Sequence, residues 1–198
     1  MKNIIGLTGP TGSGKSSLKE VAENFGAAFI DCDTIVHHLF ETDADCIRAI
    51  KAAFGEDTVE NGRVNRKALA LKAFASEDGT ALLNETVFPF VTYAILKEIS
   101  AKKEQIVILD APTLYESGID EICCVTIAVL ADKQTRTRRI ISRDNLSDEA
   151  AALRLSAGKD DEFYLNKAQK IIYNNEDIKT LQKDFEIFLE DFKGGNLK

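Results

Sequence analysis

The chain has 198 residues, of which 44% are hydrophobic and 29% are charged, and its formal net charge is −7. This length and balance are typical of one soluble globular domain with a sizeable core, and the acidic charge argues against a dedicated nucleic-acid-binding protein. No apolar run approaches the roughly 18 residues of a membrane-spanning helix. The four cysteines form neither a C-x-x-C pair nor a Cys/His cluster typical of zinc sites, so a reducing, cytoplasmic setting without a membrane partner is expected.

Short runs rich in Val and Ile recur along the chain and predict strands that are covered on both faces. They lie at residues 4–8, 28–30, 105–109, 123–130 and 170–173. The fourth run contains Cys123 and Cys124, which are predicted to be small core residues. Between these runs the apolar residues have helical spacing. The predicted helices cover residues 16–25, 34–40, 44–54, 66–74, 90–101, 133–142, 148–157 and 178–192.

Strands that alternate with helices predict an α/β fold with a mostly parallel sheet. Two helical segments, residues 34–103 and 132–168, break the regular alternation. In an open α/β sheet, ligands bind beyond the carboxyl ends of the strands. The two segments are therefore candidates for a substrate-binding insertion and a lid.

A glycine-rich motif directly follows the first predicted strand. Residues 9–16 read GPTGSGKS and fit the pattern G-x-x-x-x-G-K-[ST], with a predicted helix after it. Glycines let backbone N–H groups approach phosphate oxygens, Lys15 would reach the β- and γ-phosphates, and the Ser16 hydroxyl would ligate Mg²⁺. The alternative is a glycine-rich turn that merely joins a strand to a helix. The residues predicted to hold a nucleoside triphosphate here are Gly9, Gly12, Ser13, Gly14, Lys15, Ser16 and Ser17.

Two carboxylates, Asp31 and Asp33, follow the second predicted strand. Side chains two residues apart on extended backbone point the same way, so both would face the phosphate site. One of them could accept a proton from an attacking hydroxyl, or order water around Mg²⁺. The alternative is structural, because Asp33 directly precedes the predicted helix 34–40 and would be a good N-cap.

The third predicted strand ends on Asp110, in the sequence Asp110-Ala-Pro112. An acidic residue after an apolar strand can hold Mg²⁺ directly or through water, and the alternative is a simple strand-end turn. Glu116 follows shortly after and could contact a substrate or be solvated.

Four arginines crowd the predicted helix 133–142 and its end: Arg136, Arg138, Arg139 and Arg143. Arg139 and Arg143 are four residues apart and share a helix face. Arginines on a lid can close over phosphates during transfer and offset the developing charge. The alternative is a solvated helix, balanced by the nearby acidic residues Asp132, Asp144 and Asp148.

Several of these segments, in this order, resemble the dephospho-coenzyme A kinase family. The resembling segments are IIGLTGPTGSGKSS, FIDCDTIVHHL, FGEDTVENGRVNRKAL, ILDAPTLYESG, TRRIISRDNLS and AQKIIYNN. The glycine-rich motif is shared by many families, whereas the ordered set of Asp-x-Asp, Asp-x-Pro and Arg-Asp is much more specific.

The resemblance implies a P-loop NTPase fold with three α/β/α layers. It also implies one kinase domain made of a core (1–33, 104–131 and 169–198), a helical acceptor-binding insertion (34–103) and a lid (132–168). The implied reaction transfers the γ-phosphate of ATP, with Mg²⁺, to the ribose 3′-hydroxyl of dephospho-coenzyme A.

The resemblance also assigns roles to individual residues. Lys15, Asp33 and Arg139 would be catalytic, with Asp33 as the base on the acceptor hydroxyl. Arg143 would clamp phosphates from the lid, and Asn174 would lie near the adenine. The acceptor would be bound by Asp33, Arg66 and Glu116, and Ser16 would hold Mg²⁺. Asp110, at the end of the third predicted strand, is also predicted to bind the acceptor and Mg²⁺.

The chain departs from the family pattern at several positions. Where the family usually has a glycine in the loop, this chain has Pro10, and where an apolar residue often follows, it has Thr11. Where the family often has His-Pro after the insertion, this chain has Phe88-Pro89. A glutamine common after the lid helix corresponds to Gly158. Two other functions stay open from the sequence: a kinase of the same architecture acting on a nucleoside or nucleotide, and a nucleotide-binding switch protein. The sequence does not indicate an oligomeric state.

Overall fold

The computed structural model describes residues 2–196, which divide into two compact units. The sheet unit contains the described residues up to Ile30 and from Lys102 onward, and the helical unit is Asp31–Ala101. Within residues 2–196, no helix has both the length and the apolar character needed to cross a membrane.

The strands in chain order are β1 (Asn3–Thr8), β2 (Ala28–Asp31), β3 (Val59–Glu60), β4 (Arg63–Val64), β5 (Ile106–Asp110), β6 (Val125–Leu130) and β7 (Lys170–Tyr173). The helices are α1 (Lys19–Phe25), α2 (Cys32–Thr42), α3 (Ala44–Phe54), α4 (Arg66–Ala73), α5 (Glu77–Ala101), α6 (Lys133–Asp144), α7 (Asp148–Ser156), α8 (Asp161–Lys167) and α9 (Ile178–Lys193). Short 3₁₀ helices lie at Lys15–Leu18, Glu56–Thr58 and Ile119–Ile122.

Five strands form one sheet in the order β2-β5-β1-β6-β7. Strand β1 pairs in parallel with both β5 and β6, and β6 pairs in parallel with β7. Strand β1 is therefore the central strand, and the segment that follows it emerges at the carboxyl edge of the sheet, where ligands bind in open α/β folds.

Both faces of this sheet are covered. Ile127 and Val129 of β6 pack in one core cluster with residues of α1 and α9, whereas Ala128 and Leu130 pack with Tyr164 of α8. Successive residues of a strand point to opposite faces, so helices lie on each side and the arrangement has three layers. The predicted α/β fold with a parallel sheet is confirmed.

The helical unit consists of α2, α3, α4 and α5 with the β3–β4 hairpin. Helix α5 buries Val87, Val91, Ile95 and Ile99, which recur every fourth residue and form one apolar face. The hairpin turns at Asn61-Gly62, both at positive φ, and Asn-Gly is a pair that two-residue hairpin turns favour.

The structure corrects three details of the sequence-based elements. The predicted helix 90–101 is the second half of α5, which starts at Glu77 and contains Pro89. Helix α8 lies within the predicted helical segment 132–168, in a stretch to which no individual helix was assigned. Strand β6 starts only at Val125, so the prediction that Cys123 and Cys124 are core residues is wrong: Cys123 is partly buried and Cys124 is exposed.

Candidate phosphate-binding site

The glycine-rich loop joins β1 to the 3₁₀ helix Lys15–Leu18, which leads directly into α1. Two of its glycines cannot be replaced without movement of a neighbour. Gly9 has φ 138° and a Cβ there would collide with the Val129 carbonyl oxygen of β6; Gly14 has φ 100° and a Cβ there would collide with the side-chain amide of Asn174. The loop is thus pressed against β6 and the end of β7, and only glycine fits at these two points.

Lys15 lies at the end of the loop and its ammonium turns back over it. Its Nζ donates a hydrogen bond to the Gly9 carbonyl oxygen at 2.7 Å. The positive charge is therefore held beside the loop backbone, where it adds to the partial positive charge of a helix N-terminus. Ser16 is exposed at this point, and Ser17 Oγ donates to the Gly14 carbonyl oxygen at 2.8 Å.

Asn174 and Arg139 both contact the loop at the Ser13 carbonyl oxygen. The Asn174 amide donates to it at 2.7 Å, and Arg139 approaches it at 3.5 Å. Arg139 also donates to the Asn174 side-chain oxygen at 3.1 Å. The contact of Asn174 with the loop was not predicted, and the only sequence signal for it was a polar residue directly after a strand.

The other arginines of α6 have different surroundings. Arg136 is 7% exposed and pairs with Asp161 of α8 at 2.9 Å, so it is structural. Arg143 makes two hydrogen bonds to Asp144, at 2.8 and 2.9 Å, which raise its pKa and lower the pKa of that carboxyl. In this structure Arg143 is thus paired with an acidic residue of its own helix, as in the alternative of a charge-balanced, solvated helix.

A cavity of about 580 Å³ lies beside α6. Its lining includes the side chains of Arg138, Arg139 and Arg143 from the helix, with Glu176 from the segment after β7. Three guanidinium groups at one cavity favour a ligand that carries several negative charges.

Asp110 is the last residue of β5 and pairs in register with Leu7 of β1. Its carboxyl group therefore lies at the end of β5, and β5 is the neighbour of β1, which leads into the glycine-rich loop. Hard oxygen ligands such as a carboxylate and a hydroxyl suit Mg²⁺, which usually keeps water and substrate phosphates as its other ligands. Asp110 and Ser16 fit that donor set, whereas the described residues contain no cluster of three or more His, Cys, Asp or Glu side chains that could hold a metal alone.

Glu116 is exposed in the turn that follows β5. Burial, and after it the negative charge of Glu116, raises the pKa of Tyr164 to about 12. The phenol of Tyr164 is therefore neutral at physiological pH, and Glu116 remains a candidate for contact with a ligand.

Asp33 and Arg66 belong to the helical unit. Asp31, not Asp33, caps α2: its Oδ1 accepts from the Thr34 N–H at 3.0 Å. The alternative in which Asp33 is the N-cap is thus wrong, and Asp33 is an exposed residue of the first helical turn. Arg66 is the exposed first residue of α4, which is capped by Asn65. Their roles toward an acceptor stay predictions.

A parallel sheet with a glycine-rich loop after its central strand, and a lysine folded over that loop, defines a P-loop nucleotide-binding protein. The family model described as dephospho-CoA kinase matches residues 3–180. The chain belongs to the dephospho-CoA kinase family.

Individual proteins agree with this assignment. The dephospho-CoA kinase of Corynebacterium diphtheriae is 34% identical over 176 residues, which cover 87% of this chain and 88% of that protein. The dephospho-CoA kinase of Fusobacterium nucleatum is 33% identical over 189 residues, or 94% of this chain and 97% of that protein. The solved structure of dephospho-CoA kinase from Campylobacter jejuni matches with a TM-score of 0.71 and 26% identity, over 99% of this chain and all of that one.

Proposed function

We propose that this protein transfers the γ-phosphate of ATP to the ribose 3′-hydroxyl of dephospho-coenzyme A, the final step of coenzyme A biosynthesis. The observation that carries the proposal is the glycine-rich loop with Lys15 held at the Gly9 carbonyl, in a chain whose family match spans residues 3–180. Phosphoryl transfer is catalysed mainly by positioning and by electrostatic stabilisation, and this loop supplies both.

On the nucleotide side, the backbone of residues 9–17 would hold the triphosphate and Lys15 would neutralise charge on the β- and γ-phosphates. Ser16 and Asp110 would hold Mg²⁺, which supplies charge neutralisation and alignment of the phosphates when bound. Arg139 and Arg143 would add positive charge from α6. Arg143 would first have to exchange its hydrogen bonds with Asp144 for bonds to phosphate.

On the acceptor side, Asp33 would accept the proton of the attacking hydroxyl. Arg66 and Glu116 would contact the acceptor, together with Asp110. Asp33 suits the task because its structural neighbour Asp31 already caps α2, which leaves Asp33 unneeded as a cap. The proposed acceptor, dephospho-coenzyme A, is a small molecule. The proposal also includes a cytoplasmic location, where ATP is abundant and thiols are reduced.

The test is a turnover assay with ATP, Mg²⁺ and dephospho-coenzyme A, in which ADP and coenzyme A are measured by mass spectrometry. The wild type should form both products in equal amounts. Lys15→Ala should lose at least about 10²-fold in rate, because it removes the positive charge that would stabilise the phosphate during transfer. Lys19→Ala is the matched control, because Lys19 is exposed and pairs only loosely with Glu23 at 3.9 Å.

Comparison of acceptors separates the proposal from its rivals. Equal rates on nucleoside monophosphates would contradict dephospho-coenzyme A as the specific acceptor. Tight ATP binding without phosphorylation of any acceptor would favour the switch protein.

A further inference from the structure

Asn174 is a buried polar residue between the glycine-rich loop and α6. It follows β7 directly and is 2% exposed. Its backbone N–H donates to the Leu130 carbonyl oxygen at 2.7 Å, which extends the pairing of β6 with β7 by one residue. The backbone from which the side chain projects is therefore fixed by the sheet.

The orientation of the Asn174 amide is set by its two partners. A backbone carbonyl only accepts hydrogen bonds and a guanidinium only donates them. The NH₂ group must therefore face the Ser13 carbonyl, at 2.7 Å, and the oxygen must face Arg139, at 3.1 Å. One side chain thus connects the middle of the loop to an arginine of α6.

The bond to Ser13 also determines where the next N–H group points. In a trans peptide unit the C=O and the following N–H point in opposite directions, and no cis peptide occurs among the described residues. Because the Ser13 carbonyl is turned toward Asn174, the N–H of Gly14 is turned away from it. The amide also packs so closely on Gly14 that a Cβ at that glycine would collide with it.

We infer that Asn174 is a positioning residue, which keeps the loop in its phosphate-binding conformation and anchors Arg139 beside it. This inference rests on one part of the proposed function, the binding of a triphosphate by the loop, and does not depend on the acceptor. Both ends of the buried amide are bonded within the protein, so the inferred role is separate from the predicted position of Asn174 near the adenine.

The experiment compares Asn174→Ala with the wild type by calorimetric titration of inorganic triphosphate and of ATP, both with Mg²⁺. Inorganic triphosphate has no base, so it reports the loop alone. We expect the variant to bind both ligands about tenfold more weakly, which corresponds to about 1.4 kcal/mol, and to keep the wild-type ratio of ATP to GTP in turnover. A role in stability alone would lower the melting temperature without changing either affinity.

Asn3→Ala is the control for inorganic triphosphate. Asn3 is the exposed first residue of β1, whereas the glycine-rich loop follows the last residue of that strand. This variant should bind inorganic triphosphate with wild-type affinity.

Three results would overturn the inference: unchanged affinity for inorganic triphosphate, weakening for ATP alone, or a shifted ratio of ATP to GTP. If the alanine variant does not fold, Asn174→Ser, which has a smaller polar side chain, repeats the test. If neither variant folds, the amide is needed for folding of the core, and the inferred role in positioning the loop is overturned. A wild type that binds triphosphate but does not phosphorylate dephospho-coenzyme A refutes the proposed function and leaves this test intact.

Discussion

At the scale of the residue, Gly9 and Gly26 form a natural pair for comparison. Both lie at positive φ, 138° and 87°, but only Gly9 faces a neighbour, the Val129 carbonyl oxygen; nothing lies within 4 Å of a Cβ built on Gly26. Gly26→Ala should therefore cost only the backbone strain of a left-handed residue, about 1–2 kcal/mol.

Gly9→Ala adds a collision with the backbone of β6, so the loop or the strand must shift. We expect it to weaken the binding of inorganic triphosphate at least about tenfold, or about 1.4 kcal/mol, whereas Gly26→Ala leaves that affinity unchanged. Urea unfolding and calorimetric titration measure the two effects separately. Equal triphosphate affinities in both variants would show that the close approach of Gly9 to β6 does not shape the site.

Asp31, the last residue of β2, and Asp33 should differ in the same way, Asp31 contributing to stability and Asp33 to catalysis. Asp33→Asn should leave ATP affinity nearly intact and lower turnover by about 10²-fold or more, because a general base contributes roughly 10²–10⁴. Asp31→Asn keeps an oxygen for the Thr34 N–H and is the matched control for stability.

An alanine variant of Asp31 completes this comparison. Asp31→Ala should cost about 1 kcal/mol of unfolding free energy, as the loss of an N-cap does, and Asp31→Asn should cost much less because it keeps the cap oxygen. Wild-type turnover in Asp33→Asn would remove the proposed base.

At the scale of the element, aspartates cap helices of the sheet unit, and their caps respond to pH. Asp132 caps α6 and Asp177 caps α9; hydrogen bonds from Thr135 and Thr180, respectively, lower the pKa of each carboxyl below its ordinary 3.8. Below that ordinary value the unfolded chain binds more protons than the folded one, so stability rises with pH in this range. The contribution is complete above about pH 4 and is lost as the pH falls through the lowered pKa values.

Asn at position 132 or 177 retains a cap oxygen but does not titrate in this range. Asp132→Asn and Asp177→Asn should therefore each have a shallower rise of unfolding free energy with pH than the wild type between about pH 2 and pH 4. Urea midpoints measured across this range give the slope. An unchanged slope in both variants would mean that these caps are not formed in solution.

The helix α5 illustrates which elements the sequence predicts and which it does not. Its second half was predicted because Val91, Ile95 and Ile99 keep helical spacing. Its first half contains Gly79 and Pro89, which locally disfavour helix, and tertiary packing of the apolar face outweighs that preference. Helix α8 has its apolar residues side by side at 163–165, so it lacks the three- or four-residue spacing that indicates a helix.

At the scale of the whole molecule, contacts between distant residues set the limit of prediction from sequence. The parallel sheet and the glycine-rich loop follow from local patterns: continuous apolar runs, and a motif with its strand before it. The bond from Asn174 to Ser13 joins residues 161 positions apart. No local pattern encodes such a pair, so the sequence predicted that Asn174 belongs to the site but not what it contacts.

The four cysteines report burial in both units of the molecule. Cys32 and Cys46 lie in the helical unit and are buried, while the sheet unit has the partly buried Cys123 and the exposed Cys124. Burial raises the pKa of Cys46 to about 11 and that of Cys123 to about 12. Only the thiolate attacks a disulfide reagent, so the raised pKa leaves Cys46 and Cys123 almost entirely in the unreactive thiol form at pH 8.

We therefore expect the native protein to react rapidly with an aromatic disulfide reagent at one thiol, and with all four once urea unfolds it. Cys124→Ser should abolish the rapid phase, and Cys123→Ser, the adjacent matched variant, should retain it. The absorbance of the released thiol counts the reactive groups directly. Rapid reaction of two or more thiols in the folded protein would mean that the burial of Cys32, Cys46 or Cys123 is not maintained in solution, because burial protects a thiol only while its surroundings stay closed.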